Sequence, residues 1–162
     1  MNIEIREIEA SDNKQLASII RQALKEFKAD KPGTVYYDES TDHLSDLFLV
    51  ENSVYYVALQ DEKLLGGAGI FPTAGLPEDT VELVKMYLVP EARGLGLGKK
   101  LILKCAEKAR LLGYKKIYLE TMAELSKAVT TYERMGFSRL DTPLGNSGHH
   151  SCEIWMLKEI DS

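Results

Sequence analysis

The chain is short of cysteine, of basic charge and of long apolar runs, and each shortage excludes something. Only two cysteines occur in 162 residues. Cys105 and Cys152 lie far apart and lack metal-ligand spacing, so no disulfide framework or metal motif is expected, and reduced thiols suit a cytoplasmic protein. Lysine and arginine number 20 against 25 aspartates and glutamates, a formal charge of −5. That balance excludes the broad basic face of non-specific nucleic-acid binding and accords with an amine-bearing partner. No apolar run approaches a membrane span. The opening MNIEIREIEA has neither the basic nor the apolar region of a secretion signal. Repeats and low-complexity segments are also missing. What remains is an ordinary globular composition, 44% hydrophobic and 28% charged, sized for one domain over 1–162.

Periodicity orders the elements. NIEIREI alternates like a half-buried strand. SDNKQLASIIRQALKEF places Leu16, Ile19, Ile20, Ala23, Leu24 and Phe27 at helical spacing, with Asp12 and Gln15 resembling a capping box. After a Pro/Gly-containing loop, KADKPGTVYYDEST, a short helix carries Leu44, Leu47 and Phe48. SVYYVALQ and KLLGGAGIFP read as strands joined by a tight turn at Asp61-Glu62. TVELVKMYLV is a strand, GKKLILKCAEKARLLG a helix stopped by Gly113, and KKIYLET a strand. ELSKAVTTYERMG is a helix closed by Gly136; FSRLD and SCEIWMLKEI are strands around the loop TPLGNSGHH. The order β-α-α-β-β-β-α-β-α-β-β implies an α/β (α+β) domain with a largely antiparallel sheet and helices on both faces.

Between the third helix and the strand before it lies VPEARGLGLGKK. Glycine lets backbone N–H groups approach a ligand, and a turn opening a helix offers free donors and the positive end of its dipole. Gly94, Gly96 and Gly98, flanked by Arg93, Lys99 and Lys100, therefore read as an anion cradle of the kind that suits a pyrophosphate; a turn alone would need only one glycine. Neither the P-loop pattern G-x-x-x-x-G-K-[ST] nor the dinucleotide pattern G-x-G-x-x-G fits. The pattern [QR]-x-x-G-x-[GA] does, through Arg93, Gly96 and Gly98.

With its Pro-terminated strand and following helix, this stretch resembles the main signature of the GNAT superfamily of acyl-CoA-dependent N-acyltransferases. A second signature, A-x-x-x-Y-x-x-x-G-F, is met by Ala128, Tyr132, Gly136 and Phe137, and the resemblance runs over essentially the whole chain. It implies a single GNAT-like domain, with a mixed, mostly antiparallel sheet of about six to seven strands flanked by about four helices. It also implies acetyl-CoA as co-substrate, a primary amine as acceptor and no metal.

By position, the resemblance assigns pantetheine pairing to Tyr87, Leu88 and Val89, and cofactor binding to Arg93, Gly94, Leu95, Gly96, Leu97, Gly98 and Lys99. Ser126 stands where many members carry asparagine, with a shorter reach. Glu82 stands where similar members use a glutamate base. Strand alternation puts it on the face of Val84, Met86 and Leu88, where apolar neighbours would raise its pKa. Tyr132 stands where a phenol protonates the departing thiolate; a phenol of pKa about 10 and a thiol of about 8.5 are close enough for transfer. Cys105, on an apolar helix face, and Cys152, at a strand start, read as structural thiols, which implies direct attack in a ternary complex.

The acceptor is left open between a small amine, an amino acid, an antibiotic and a protein lysine or N-terminus. Tyr36, Tyr37, Asp38, Glu39, Asp42 and His43 could hold a cationic amine or form a solvated loop. His149 and His150 lack the further ligands of a metal site; a histidine touching substrate is the alternative. A catalytically silent acyl-CoA sensor or scaffold, and a nucleotide-binding regulator, are the competing classes. A homodimer is compatible with the exposed strand edges.

Overall fold

Strand β2, Val54–Gln60, carries no charged residue because both of its faces are buried. Val54, Tyr56 and Ala58 enter one core cluster while Tyr55, Val57 and Leu59 enter another. A computed structural model describes residues 2–160. Its seven strands form one sheet: β1 (Ile3–Glu7), β2, β3 (Lys63–Phe71), β4 (Thr80–Leu88), β5 (Lys116–Thr121), β6 (Ser138–Leu140) and β7 (Ile154–Glu159). They lie in the order β1-β2-β3-β4-β5-β7-β6. Every neighbouring pair is antiparallel except β4 and β5. Helices α1 (Asn13–Glu26) and α2 (Leu44–Leu47) cover one face; α3 (Leu97–Leu111) and α4 (Ser126–Arg134) pack on the other. The mixed, mostly antiparallel architecture expected from the element order is the one observed. No helix among the described residues is long and apolar enough to cross a membrane.

Helix α1 buries Leu16, Ile19, Ile20, Ala23 and Leu24, the stripe its spacing predicts, and each fully buried leucine or isoleucine contributes about 1.5–3 kcal/mol. Its start differs from the expected capping box. The Asp12 carboxylate accepts from the Glu9 N–H at 2.8 Å and from both Arg6 guanidinium nitrogens, so it braces the preceding turn instead of pairing with Gln15. At the β2–β3 hairpin Asp61 and Glu62 both have positive φ, 50° and 69°, the twist-matched geometry of a two-residue turn.

Two irregularities in β4 position everything that follows. The first is a fork. β4 pairs with β5 only at Thr80–Lys116, Val81–Ile117 and Glu82–Tyr118, whereas β5 continues along β7 to Thr121. Beyond Glu82 the two strands part. The second is a bulge. Val84 pairs with Gly69 and Tyr87 with Gly67, so Lys85 and Met86 together oppose Ala68. Lys85 takes φ +53°, and the buried Tyr55 hydroxyl donates to its carbonyl at 2.7 Å. Across the bulge a Cβ on Gly66 would lie 2.0 Å from the Tyr87 oxygen, so only glycine admits this approach of β3 to β4. The bulge also resets the side-chain alternation. Val84 lies with Tyr87 against the α1 side, Met86 and Leu88 lie against the α3 side, and Val89 touches both. Glu82 therefore does not share a face with Met86 and Leu88, as unbroken alternation predicts.

Candidate active site

The fork opens into a cleft of about 950 Å³, near the top of the ~300–1,000 Å³ typical of small-molecule sites. One wall is β4 from Glu82 to Leu88; the other includes Leu119–Thr121 of β5 and Lys127–Ala128, Thr130–Tyr132 and Arg134 around α4. At one end lies the glycine turn. Gly94 and Gly96 both have φ +78°, so the turn itself requires two glycines, not one. A Cβ at either would meet nothing within 4 Å, which leaves the backbone bare. Leu97, Gly98 and Lys99 open α3, where N–H groups have no intrahelical acceptor; Lys100 is the first to bond back, to Gly96. Lys99, Lys127 and Arg134 line the same cleft. Bare donors, a helix dipole and basic side chains suit the phosphates of a coenzyme A ester, and the free edge of β4 suits its extended arm.

Glu82 stands at the fork. It is 3% exposed, and Thr73 Oγ1 donates to its Oε1 at 2.5 Å. Burial pushes its pKa from 4.5 up to about 7, with Glu120 adding to the rise and Thr73, His149 and Lys85 opposing it. Beside it lies a polar group that periodicity does not reveal. His149 Nε2 is hydrogen-bonded to Asp38 Oδ2 at 2.7 Å, and Lys85 Nζ is 3.8 Å from the same oxygen. Burial tends to raise the Asp38 pKa, but the His149 hydrogen bond and the charges of His149 and Lys85 outweigh it and hold the carboxyl below its ordinary value. Glu120 accepts from Tyr118 Oη at 2.7 Å and from Ser147 Oγ. His150 turns the other way, its ring packed where a Cβ on Gly33 would sit. Among the described residues no group of three or more His, Cys, Asp or Glu side chains is arranged for a metal ion.

The structure brings most of the expected site residues to one cleft. Glu82, Tyr87, Leu88, Arg93, Gly94, Gly96, Gly98, Lys99 and Tyr132 all line it. Tyr132 is 7% exposed, and burial raises its phenol well above the ordinary pKa, which keeps it protonated but widens the gap to a thiol. The Arg93 guanidinium is turned back. It donates to the Leu88 carbonyl at 3.1 and 2.9 Å, pairs with Glu26 at 2.7 Å and lies over the Phe27 ring, so it clamps the end of β4. Leu97 points into the core and Leu95 is exposed; neither of them lines the cleft, nor does Val89, whose N–H is donated to the Leu65 carbonyl. Ser126 lies outside the cleft, in a shallow pocket with Glu133 and Arg139. Cys152 sits two residues before β7 and lines the cleft, but burial pushes its thiol up to about 12, as it does for Cys105. Of the acidic loop, Asp38 reaches the site while Asp42 is spent on Arg21 at 2.5 Å. Asp38 belongs to the loop read as able to hold an amine, whereas Lys85 and Glu120 were not among the expected site residues; the one signal for Lys85 is a charge inside an apolar strand facing a glycine-rich one.

Comparison with known proteins agrees with this geometry. The chain is 41% identical over 158 residues to YjgM of Escherichia coli strain K12, an uncharacterised N-acetyltransferase, covering 96% of this chain and 94% of that one. Human N-acetyltransferase 8 is 33% identical over 121 residues, 70% of this chain and 53% of the human protein. Among solved structures, a GNAT acetyltransferase of Staphylococcus aureus superposes with a TM-score of 0.84 at 20% identity, covering 99% and 100% of the two chains. The PaiA N-acetyltransferase of Thermoplasma acidophilum, solved with coenzyme A, gives 0.74 at 22%, covering 98% and 99%. Residues 17–137 match the family model described as acetyltransferase (GNAT) family. Forked strand, bulge, glycine turn and sequence kinship converge, and the chain belongs to the GNAT family of acetyltransferases.

Proposed function

We propose that this acetyltransferase moves an acetyl group from acetyl-CoA to a primary amine by direct attack within a ternary complex. The observation that supports this reading best is Glu82, a buried carboxylate with a pKa of about 7, standing at the mouth of a fork whose other end is a bare-backbone turn. When bound, acetyl-CoA supplies an acetyl group activated as a thioester. The N–H groups from Gly94 to Lys99 would hold its phosphates, and the cleft edge of β4 at Tyr87 and Leu88 would meet its arm; the Val89 N–H is already donated to the Leu65 carbonyl of β3.

Glu82 takes the proton from the acceptor ammonium, directly or through one water. Near neutral pH it is about half ionised, which suits a base that must both accept and release a proton. The bulge at Lys85 and Met86 turns β4 backbone away from regular pairing, so an N–H can face the oxygen that gains charge. Tyr132 keeps its proton on Oη inside the cleft, available to the departing sulfur. Both cysteines are thiols rather than thiolates at neutral pH, which accords with attack by the amine itself.

The test is calorimetric titration of acetyl-CoA into the wild type and Gly96→Val, followed by thiol release over an amine panel. Valine at φ +78° is strained by its own backbone rather than by a clash. Micromolar-range binding lost in the variant, with free CoA released by at least one amine in the wild type, is expected. Binding without release from any amine identifies a sensor, and competition by ATP or NAD identifies a nucleotide site.

A further inference from the structure

The acceptor end of the cleft holds a group that the transfer reaction leaves unused, the ammonium of Lys85. Its side chain is 5% exposed and lines the cleft. Among the described residues Nζ donates no hydrogen bond. Asp38 Oδ2, its ion-pair partner, lies at 3.8 Å and is already hydrogen-bonded to His149 at 2.7 Å. The placement is held at a cost. Lys85 occupies a left-handed backbone conformation, φ +53°, unusual for a residue with a side chain, and the Tyr55 hydroxyl ties its carbonyl into the core. The ammonium is not sealed in the core but opens on the cleft, and the burial of the rest of the side chain lowers its affinity for the proton.

The carboxylates around it are unequally occupied. Glu120 accepts from Tyr118 and Ser147, and Asp38 is engaged by His149. Glu82 accepts from Thr73 through Oε1; its Oε2 has no hydrogen bond among the described residues. Glu82 and Lys85 are three residues apart on one strand and close enough for each to act on the other's charge. A ligand whose amine goes to Glu82 therefore meets a cation with free donors next to it. We infer that the acceptor carries a carboxylate beside its amine, an α-amino acid with its α-carboxylate free, and that Lys85 Nζ receives that carboxylate. A polyamine would bring a second ammonium against Lys85, and a protein lysine or peptide N-terminus would bring no adjacent anion. This inference rests on the transferase reading, whose acceptor it names.

The experiment is thiol release at saturating acetyl-CoA with each of the twenty amino acids and its carboxamide, for the wild type, Lys85→Met, Lys85→Gln and Lys85→Arg, with melting curves to confirm folding. At least one amino acid should exceed its amide by about 10- to 100-fold in kcat/KM, the range of a charge-assisted hydrogen bond. That ratio should fall to within about threefold of unity in folded Lys85→Met or Lys85→Gln and return in part in Lys85→Arg. Amides or simple amines turned over as well as the acids by the wild type overturn the inference and leave the transferase standing. So does an acid preference that survives in a folded Lys85→Met. Acetyl-CoA bound but no CoA released by any amine overturns both.

Discussion

Replacing Glu82 by glutamine should make the protein more stable and less active, and the stability gain should depend on pH in a defined way. The folded state raises the Glu82 pKa from 4.5 to about 7, so it binds that proton more tightly than the unfolded chain does. Stability is therefore lost as pH rises from about 4.5 to about 7 and changes no further above. At 1.36 kcal/mol per tenfold, the loss is about 3 kcal/mol as an order of magnitude. Glutamine has the same shape, can still accept from Thr73 Oγ1 and never ionises. Urea unfolding of the two proteins from pH 4 to pH 8.5 should show a Glu82→Gln advantage near zero at pH 4 that grows to about 3 kcal/mol by pH 8. Titrating groups remote from Glu82 cancel in the difference. At saturating acetyl-CoA the wild-type kcat/KM should fall about tenfold per pH unit below about 7, and Glu82→Gln should lose about 10²–10⁴-fold. Stability curves that stay parallel across the range would show that Glu82 ionises as an ordinary glutamate, and the burial argument for its role as base would fail.

Two other substitutions probe the frame around it. Tyr132→Phe should lower kcat by about 10²-fold, the low end for loss of a proton donor, with the Kd of acetyl-CoA within twofold by calorimetry; an unchanged kcat removes Tyr132 from the reaction. Tyr55→Phe leaves the buried Lys85 carbonyl without the donor it has at 2.7 Å and should cost about 1–3 kcal/mol in urea unfolding. It should also lower kcat/KM, because the bulge carries both Lys85 and the open edge of β4.

Much of this architecture could be read from the chain. The eleven elements follow from apolar spacing, the hairpin from Asp61-Glu62, and the anion cradle from glycines beside basic residues. The bulge could not be read directly. Apart from Glu82 and Lys85, VELVKMYLV is apolar on both faces, since β4 lies within a covered sheet, so its pattern has no continuous polar side against which a slipped register would show. The one trace is on the partner strand, where Gly66 leaves room for β4 backbone that a Cβ would strike. The contact between Asp38 and His149 joins positions 111 residues apart, and no local rule reaches that far. Arg93 shows the opposite limit. Its place in the glycine pattern marks it for the cofactor, yet an open carbonyl at Leu88 and the face of Phe27 compete for the same guanidinium.

The three-pair contact between β4 and β5 has a mechanical meaning. The sheet is two plates, β1–β4 and β5–β7, stitched along a seam only from Thr80 to Glu82 on one side and Lys116 to Tyr118 on the other. A molecule seated in the open part of the fork adds stitches where the protein has none. The width of the gap, and with it the distance between groups on β4 and α4, is then set jointly by that short seam and by whatever fills the wedge, so the ligand is itself a structural member of the sheet it enters.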